Sequence, residues 1–178
     1  MRKISILLLA ILLAACNLHR TTPDLGPAPV TDTPGSNLPC YYNWATQPLP
    51  DLSSQVQDAM VAASLTGVSV TAEAYGENCY DAQTDKPVYF AAMETDFRIR
   101  MEASDLADTA ALGNLLERIL VVLDAFPPGA TSGPQPGYIG VRFVHGTEEI
   151  NLWFTVTDGE SARALGLHGA DLFTKLQK

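Results

Sequence analysis

Hydrophobic residues recur along the chain with two different periods, and these periods predict alternating helices and strands. In residues 51–66 the apolar positions are three or four residues apart, as on one face of a helix. The residues of that face are Leu52, Val56, Met60 and Ala63. Gly67 is the expected stop of this helix. In residues 68–75 apolar and polar side chains alternate instead, which predicts a strand with one buried face.

A polar segment, Gly76 to Lys86, is predicted to be a loop that carries Cys79. Pro87 then leads into a second strand at about 88–101. The later half of this strand has two distinct sides. Phe97, Ile99 and Met101 lie on one side, and Asp96, Arg98 and Arg100 lie on the other.

The widest apolar stripe lies in residues 105–126, which predicts the longest helix, ended by Pro127-Pro128-Gly129. A hairpin follows the next Pro/Gly-rich loop. If Gly146-Thr147 is a two-residue turn, its register is determined. The predicted pairs are His145 with Glu148, Phe143 with Ile150, Arg142 with Asn151, Val141 with Leu152, Gly140 with Trp153 and Ile139 with Phe154. This register places every apolar residue on one face and lets Trp153 cover Gly140.

The tail, residues 159–177, is predicted to form one helix or two short ones, because Gly166 and Gly169 interrupt it. The complete order is then α-β-β-α-β-β-α. We therefore predict an α+β fold for a single domain at 40–178, with a four-stranded antiparallel sheet and helices on one face.

The N-terminus has the pattern of an export signal. Arg2 and Lys3 precede about a dozen apolar residues, too few to span a membrane. The tetrad Leu13-Ala14-Ala15-Cys16 resembles the lipobox of bacterial lipoproteins. The resemblance implies removal of the signal peptide, residues 1–15, and acylation of Cys16, for example with palmitate. The competing interpretation is an ordinary signal peptide with a chance cysteine near its cut site.

Lipid on Cys16 would hold the protein at a membrane, with its domain outside the cytoplasm. Two or three acyl chains anchor firmly, whereas one does not. Asn17 follows the cysteine, where aspartate would resemble an inner-membrane retention signal. Localisation at the cell membrane and at the outer membrane are both consistent with this. Residues 16–39 are then the lipidated cysteine and a proline-rich linker, which lacks the apolar content to fold alone.

The net charge of the chain is −9, and loss of Arg2 and Lys3 would make it about −11. Such a field repels phosphate backbones, so the composition argues against nucleic acid as a partner. It favours a soluble surface domain.

Cys40 and Cys79 remain after Cys16 is assigned to lipid. An even pair in an oxidising compartment predicts a disulfide. Two free thiols or a redox pair are the other interpretations, but no C-x-x-C spacing supports redox chemistry.

We find no catalytic motif, and we predict no cofactor and no metal site. His19 lies in the linker, and His145 and His168 are predicted to be solvated. The segment Glu77–Asp85 offers oxygens of the kind that calcium binds, but not in the order of an EF-hand. A solvated acidic loop is the simpler interpretation. His145 with Glu148 and Glu149 is a second, weaker cation candidate.

The sheet face opposite the apolar one is the candidate binding surface. Its predicted residues are Glu73, Tyr75, Glu94, Asp96, Arg98, Arg100, Arg142 and Trp153. Arginines and aromatics dominate interface hot spots, so Tyr75, Arg98, Arg100, Arg142 and Trp153 are the candidate contact residues for a peptide, glycan or envelope protein. The competing interpretation is an ordinary solvated face.

Two functions follow from these observations. The first is a membrane-tethered binding or assembly module. The alternative is a small envelope hydrolase that uses carboxylates such as Glu73 and Glu94 as acid and base. A solute-capturing transport lipoprotein fits less well, because one small domain offers no cleft between domains.

Overall fold

A computed structural model of the chain describes residues 39–127 and 129–177. The predicted signal peptide, the predicted lipobox with Cys16 and nearly all of the predicted linker lie outside the described residues. His19 lies outside them too.

The described part is an α+β fold built on a curled sheet of five strands. The strands are β1 (Cys40–Pro48), β2 (Val68–Asp81), β3 (Pro87–Glu102), β4 (Gln135–His145) and β5 (Glu148–Thr155). They lie side by side in chain order, β1-β2-β3-β4-β5. Three of the four pairings are antiparallel, and β3 with β4 is parallel.

The prediction of four antiparallel strands is therefore wrong in two respects. Strand β1 was missed, because Tyr41, Tyr42 and Trp44 show no alternation of buried and exposed positions. Tyr41, Tyr42 and Trp44 are all exposed, as an edge strand permits. The parallel pair arises because a helix, not a hairpin, joins β3 to β4. A crossover helix returns the chain to the end from which β3 started.

The predicted loop at Gly76 to Lys86 is also partly wrong. Residues 76–81 continue β2, and the turn is confined to the residues before Pro87. Gly76 pairs with Ala45 of β1 and Ala92 of β3. A Cβ at Gly76 would lie within 2.1 Å of the Ala91 carbonyl oxygen, so only glycine fits here. The polar sequence is tolerated because hydrogen bonds to two neighbouring strands replace those to water.

Four helices accompany the sheet: α1 (Pro50–Ala62), α2 (Thr109–Leu123), α3 (Val156–Ala164) and α4 (Gly169–Leu176). Their apolar faces and one face of the sheet form a single core. Phe143, Phe154 and Phe173 are its largest fully buried side chains. The tail forms two short helices, which is one of the two alternatives that the sequence left open.

Helix α1 ends earlier than predicted, and Gly67 is not its stop. Ser64 adopts a left-handed backbone, with φ of 60°. Its N–H donates to the Val61 carbonyl, and the N–H of Leu65 donates to the Met60 carbonyl. This is a Schellman arrangement with serine in the usual glycine position. The buried contact of Leu65 with the core replaces the missing sequence signal.

Helix α1 also satisfies the backbone of β2 beyond the end of β1. The N–H of Ala72 donates to the Ser53 hydroxyl at 2.8 Å. The Gln57 amide accepts from the Val70 N–H at 3.0 Å and donates to the Val68 carbonyl at 3.1 Å. These side chains take the place of a neighbouring strand along an otherwise open edge.

The disulfide between Cys40 and Cys79 is confirmed, with the two Cα atoms 5.4 Å apart. Tyr42 and Tyr89 are the register partners of Cys79 on its two sides. Their hydroxyls are 2.9 Å apart, and Cys79 is completely buried. The bond therefore fastens the edge strand β1 to β2 in a protected position.

The predicted register of the β4–β5 hairpin is confirmed in every pair, from His145 with Glu148 to Ile139 with Phe154. Gly146 has φ of 59°, as its turn position requires. Within residues 39–127 and 129–177, no helix has the length and hydropathy of a membrane span.

Candidate functional site: a groove on the outer face of the sheet

The outer face of the sheet, meaning the face that points away from the core, carries a groove of about 390 Å³. Two rows of side chains cross the strands here. One row is Thr71, Arg98, Gly140 and Trp153, and the next is Ser69, Arg100, Arg142 and Asn151. Between the rows, the backbones of Val70, Ile99, Val141 and Leu152 form the floor. Their side chains point into the core, so the floor is rigid.

Trp153 forms one wall of the groove and lies over Gly140. A Cβ on Gly140 would lie 2.6 Å from the ring atoms Cε3 and Cζ3 of Trp153. The Tyr138 and Trp153 rings are stacked, with centroids 5.4 Å apart and planes inclined by 8°. Trp153 is still 44% exposed, so it offers ring surface to a ligand.

Arg98 is held in position by two neighbours. Its Nε donates to the Glu73 carboxylate at 3.2 Å, and its guanidinium carbon lies 4.9 Å from the Trp153 ring centroid. The cation over the ring and the ion pair together restrain a long side chain. The side chain nevertheless keeps 53% of its surface exposed.

Arg100 and Arg142 are direct register partners on the parallel strands β3 and β4. Each of these arginines forms one ion pair with a long N···O distance. The distance is 3.5 Å between Arg100 and Glu102 and 3.8 Å between Arg142 and Glu149. Charge-assisted hydrogen bonds are typically shorter, about 2.7–2.9 Å. The two guanidinium groups therefore have donors open to a ligand.

The structure thus brings together four of the five predicted contact residues: Arg98, Arg100, Arg142 and Trp153. Tyr75 lies outside the groove and stacks on Trp44 of β1, with ring centroids 5.3 Å apart. The alternation of residues 68–75 also predicts that Ser69 and Thr71 lie on the outer face. Tyr138 and Trp44 were not predicted to lie on this face. Trp44 was missed because the prediction lacked β1.

Asp96 is the exception to the predicted solvated face, because it is only 7% exposed. Its Oδ1 accepts the Tyr138 N–H at 2.8 Å, at an irregular step between β3 and β4. Burial raises the pKa of Asp96, although the Tyr138 N–H and the charge of Arg98 act against this. Burial also raises the pKa of Glu94, and the charge of Asp96 adds to that effect.

The carboxylates of the hydrolase alternative, Glu73 and Glu94, are diagonal neighbours. Glu73 pairs with Asp96 and Glu94 pairs with Tyr75, so both lie on the outer face. Neither residue lines the groove. Glu73 is instead engaged by Arg98.

The acidic segment around Cys79 is organised by internal hydrogen bonds. Asp81 Oδ1 accepts from the N–H groups of Gln83 at 2.7 Å and Thr84 at 2.9 Å, and Tyr41 donates to Asp85. At the end of β4, His145 Nδ1 lies 3.0 Å from the carbonyl oxygen of Ala103, the residue that follows β3. In the part of the chain that the structure describes, no three His, Cys, Asp or Glu side chains converge as metal ligands.

A scan against protein-family models, a search of curated proteins and a search of solved structures each found no match.

Proposed function

We propose that the protein is a membrane-anchored extracytoplasmic lipoprotein whose domain is a binding or assembly module. Lipid on Cys16 would anchor it, and residues 16–39 would hold the domain away from the membrane. The groove on the outer face would contact a component of the cell envelope. The proposed partners are a peptide, a glycan or an envelope protein.

One observation carries this proposal: the groove concentrates cations in an acidic domain. Residues 39–127 and 129–177 contain seven Lys and Arg residues against 18 Asp and Glu residues. Three of the seven, Arg98, Arg100 and Arg142, line the groove beside Trp153. Arginine and tryptophan are among the residues most enriched in binding hot spots.

The hydrolase alternative has one observation in its favour. Glu73 lies beside Arg98, whereas burial raises the pKa of Glu94. Two nearby carboxylates in different environments are suited to divide acid and base roles. Loss of a hydrolytic activity in both Glu73→Gln and Glu94→Gln, with ligand binding retained, would support this alternative.

Binding to isolated envelope material tests the main proposal. The full-length lipoprotein, extracted in detergent, is expected to bind delipidated envelope material saturably, because without a bilayer the acyl chains on Cys16 cannot account for the binding. The combined variant Trp153→Ala, Arg98→Ala, Arg142→Ala should weaken this binding at least about tenfold, because hot-spot losses exceed about 2 kcal/mol.

The matched control replaces three exposed residues outside the groove: Leu165→Ala, Lys86→Ala and Lys175→Ala. It removes the same charge and one exposed apolar side chain, and it should bind as the wild type does. Wild-type binding by the groove variant would refute the proposal.

The anchor has a separate test. Mass spectrometry of the mature protein should find an acylated N-terminal Cys16, and Cys16→Ser should leave the precursor uncleaved. A mature N-terminus at another residue, without acyl mass, would remove the anchor from the proposal.

A further inference from the structure

We propose that the ligand of the groove is an acidic sugar, a saccharide ring that carries a carboxylate or a phosphate. Arg100 and Arg142 would bind the acidic group, and Trp153 would contact the ring. This inference rests on the proposed binding function and adds the chemistry of the ligand.

The arrangement of Arg100 and Arg142 supports an anionic ligand. Like charges directly opposite on neighbouring strands destabilise a sheet. Here the two arginines are direct partners, and their own ion pairs are long. An anion between them would relieve the repulsion. The planar guanidinium fork matches the paired oxygens of carboxylate and phosphate groups.

The other groove residues support a sugar as the carrier of that anion. Ser69, Thr71 and Asn151 place hydroxyl and amide groups beside the arginines. These groups both donate and accept hydrogen bonds, as sugar hydroxyls do. Trp153 adds an apolar ring surface at the end of the row, suited to the C–H face of a pyranose.

An acidic peptide fits the groove less well. Extended peptides commonly bind by adding a strand to an open sheet edge. The floor of this groove is the interior of the sheet, where the N–H and C=O groups already pair between β2, β3, β4 and β5. The small side chains Ser69 and Thr71 and the bare Gly140 form a shallow surface rather than side-chain pockets.

Trp153 fluorescence provides the binding assay. The chain has two tryptophans, so Trp44→Phe leaves Trp153 as the only one. The full-length lipoprotein in detergent is titrated with an oligogalacturonate, with the equivalent neutral galactose oligosaccharide, with a hexose phosphate and with inorganic phosphate. The acidic saccharides should bind, and the neutral one should bind at least about tenfold more weakly.

Three variants assign the roles. Arg100→Ala with Arg142→Ala should weaken acidic-sugar binding at least about tenfold. Arg100→Lys with Arg142→Lys keeps the charge but loses the fork, so affinity should fall and become more sensitive to salt. Lys86→Ala with Lys175→Ala matches the charge change outside the groove and should leave affinity unchanged.

The ligand arms separate the outcomes. Preference for the uronate or for the hexose phosphate identifies the acidic group. Equal binding of the neutral oligosaccharide, or equal binding of inorganic phosphate, would overturn the inference. If no acidic sugar binds while envelope binding still depends on the groove, only the ligand assignment fails. If envelope binding is also unchanged in the groove variant, the proposed function fails as well.

Discussion

The guanidinium carbon of Arg98 lies 4.9 Å from the ring centroid of Trp153, although the two residues belong to strands that are not neighbours. Arg98 is on β3, Trp153 is on β5, and Gly140 of β4 lies between them in register. The missing side chain of Gly140 lets the indole reach across one strand. The absence of a side chain at Gly140 therefore allows the contact between Arg98 and Trp153.

Gly140→Ala is expected to displace the Trp153 ring, since the new Cβ would lie 2.6 Å from it. The displaced indole should become more exposed, with a red-shifted emission in the Trp44→Phe background. Unfolding free energy should fall by about 1 kcal/mol or more. In a Trp153→Ala background the same substitution should cost much less. An equal cost in both backgrounds would place the strain elsewhere.

The contact of Arg98 with Trp153 should appear as a coupling energy. A double-mutant cycle with Arg98→Ala and Trp153→Ala, followed by urea unfolding, is expected to give about 0.5–1 kcal/mol. Arg98→Lys should keep part of it, because a cation remains near the ring. A cycle between Arg118→Ala and Trp153→Ala is the control, because Arg118 instead donates to the Ala63 carbonyl at 2.7 Å. Coupling of the same size in both cycles would contradict a specific contact.

Loss of the disulfide is expected to lower the unfolding free energy by about 4 kcal/mol, from closure of a loop with a sequence separation of 39. Urea unfolding of Cys40→Ala with Cys79→Ala measures this. Reductant should lower the midpoint of the wild type and leave that of the double variant unchanged. If complete reduction left the wild-type urea midpoint unchanged, the other contacts of β1 would be sufficient to hold it.

Asp96→Asn should stabilise the protein at neutral pH relative to acidic pH. Burial raises the pKa of Asp96, so its folded-state pKa exceeds the unfolded value. The contribution of this group to stability is then present below the unfolded pKa and is lost as pH rises through the folded pKa. Asparagine keeps an oxygen for the Tyr138 N–H without the buried charge.

The measurement compares urea midpoints of Asp96→Asn and the wild type at pH 7 and pH 3. The gain from the substitution should be larger at pH 7. Asp58→Asn makes the same chemical change at an exposed position of α1. A gain that is equal at both pH values, or larger at pH 3, would contradict the assigned direction.

Ser64→Gly is expected to stabilise the protein by about 1 kcal/mol. Ser64 has φ of 60°, a conformation that costs most side chains about 1–2 kcal/mol and glycine almost nothing. Ser64→Ala retains the strain and should bring no gain. Thermal unfolding of both variants checks the prediction. A loss of stability in Ser64→Gly would show that its greater unfolded-state entropy outweighs the relieved strain.

The sequence pattern predicted the structure correctly where two independent constraints agreed. In the β4–β5 hairpin, Gly146-Thr147 set the turn and the alternation of apolar residues set the faces. A shift by one residue would have exposed Phe143 and Phe154, so the register followed from sequence. The same parity placed Arg98, Arg100 and Arg142 on the outer face.

The sequence pattern did not predict the structure where a strand or a side chain depended on contacts with residues distant in the chain. Strand β1 carries no alternation of its own, and it is held by pairing with β2 and by the disulfide. Asp96 has the parity of a solvated residue, but the close approach of β4 at Gly137 and Tyr138 buries it.

The sequence by itself determined the α+β class, the hairpin register, the disulfide partners and the face of the sheet to which each side chain of the hairpin belongs. Periodicity and turn chemistry are local properties, and only two cysteines, Cys40 and Cys79, lie in residues 40–178. Only the tertiary structure decided that β3 and β4 run parallel. That choice places Arg100 beside Arg142 and brings Arg98 to Trp153 across Gly140. Which strands become neighbours depends on the packing of the whole sheet and its helices. The groove depends on that packing because its lining residues come from four strands, β2 to β5.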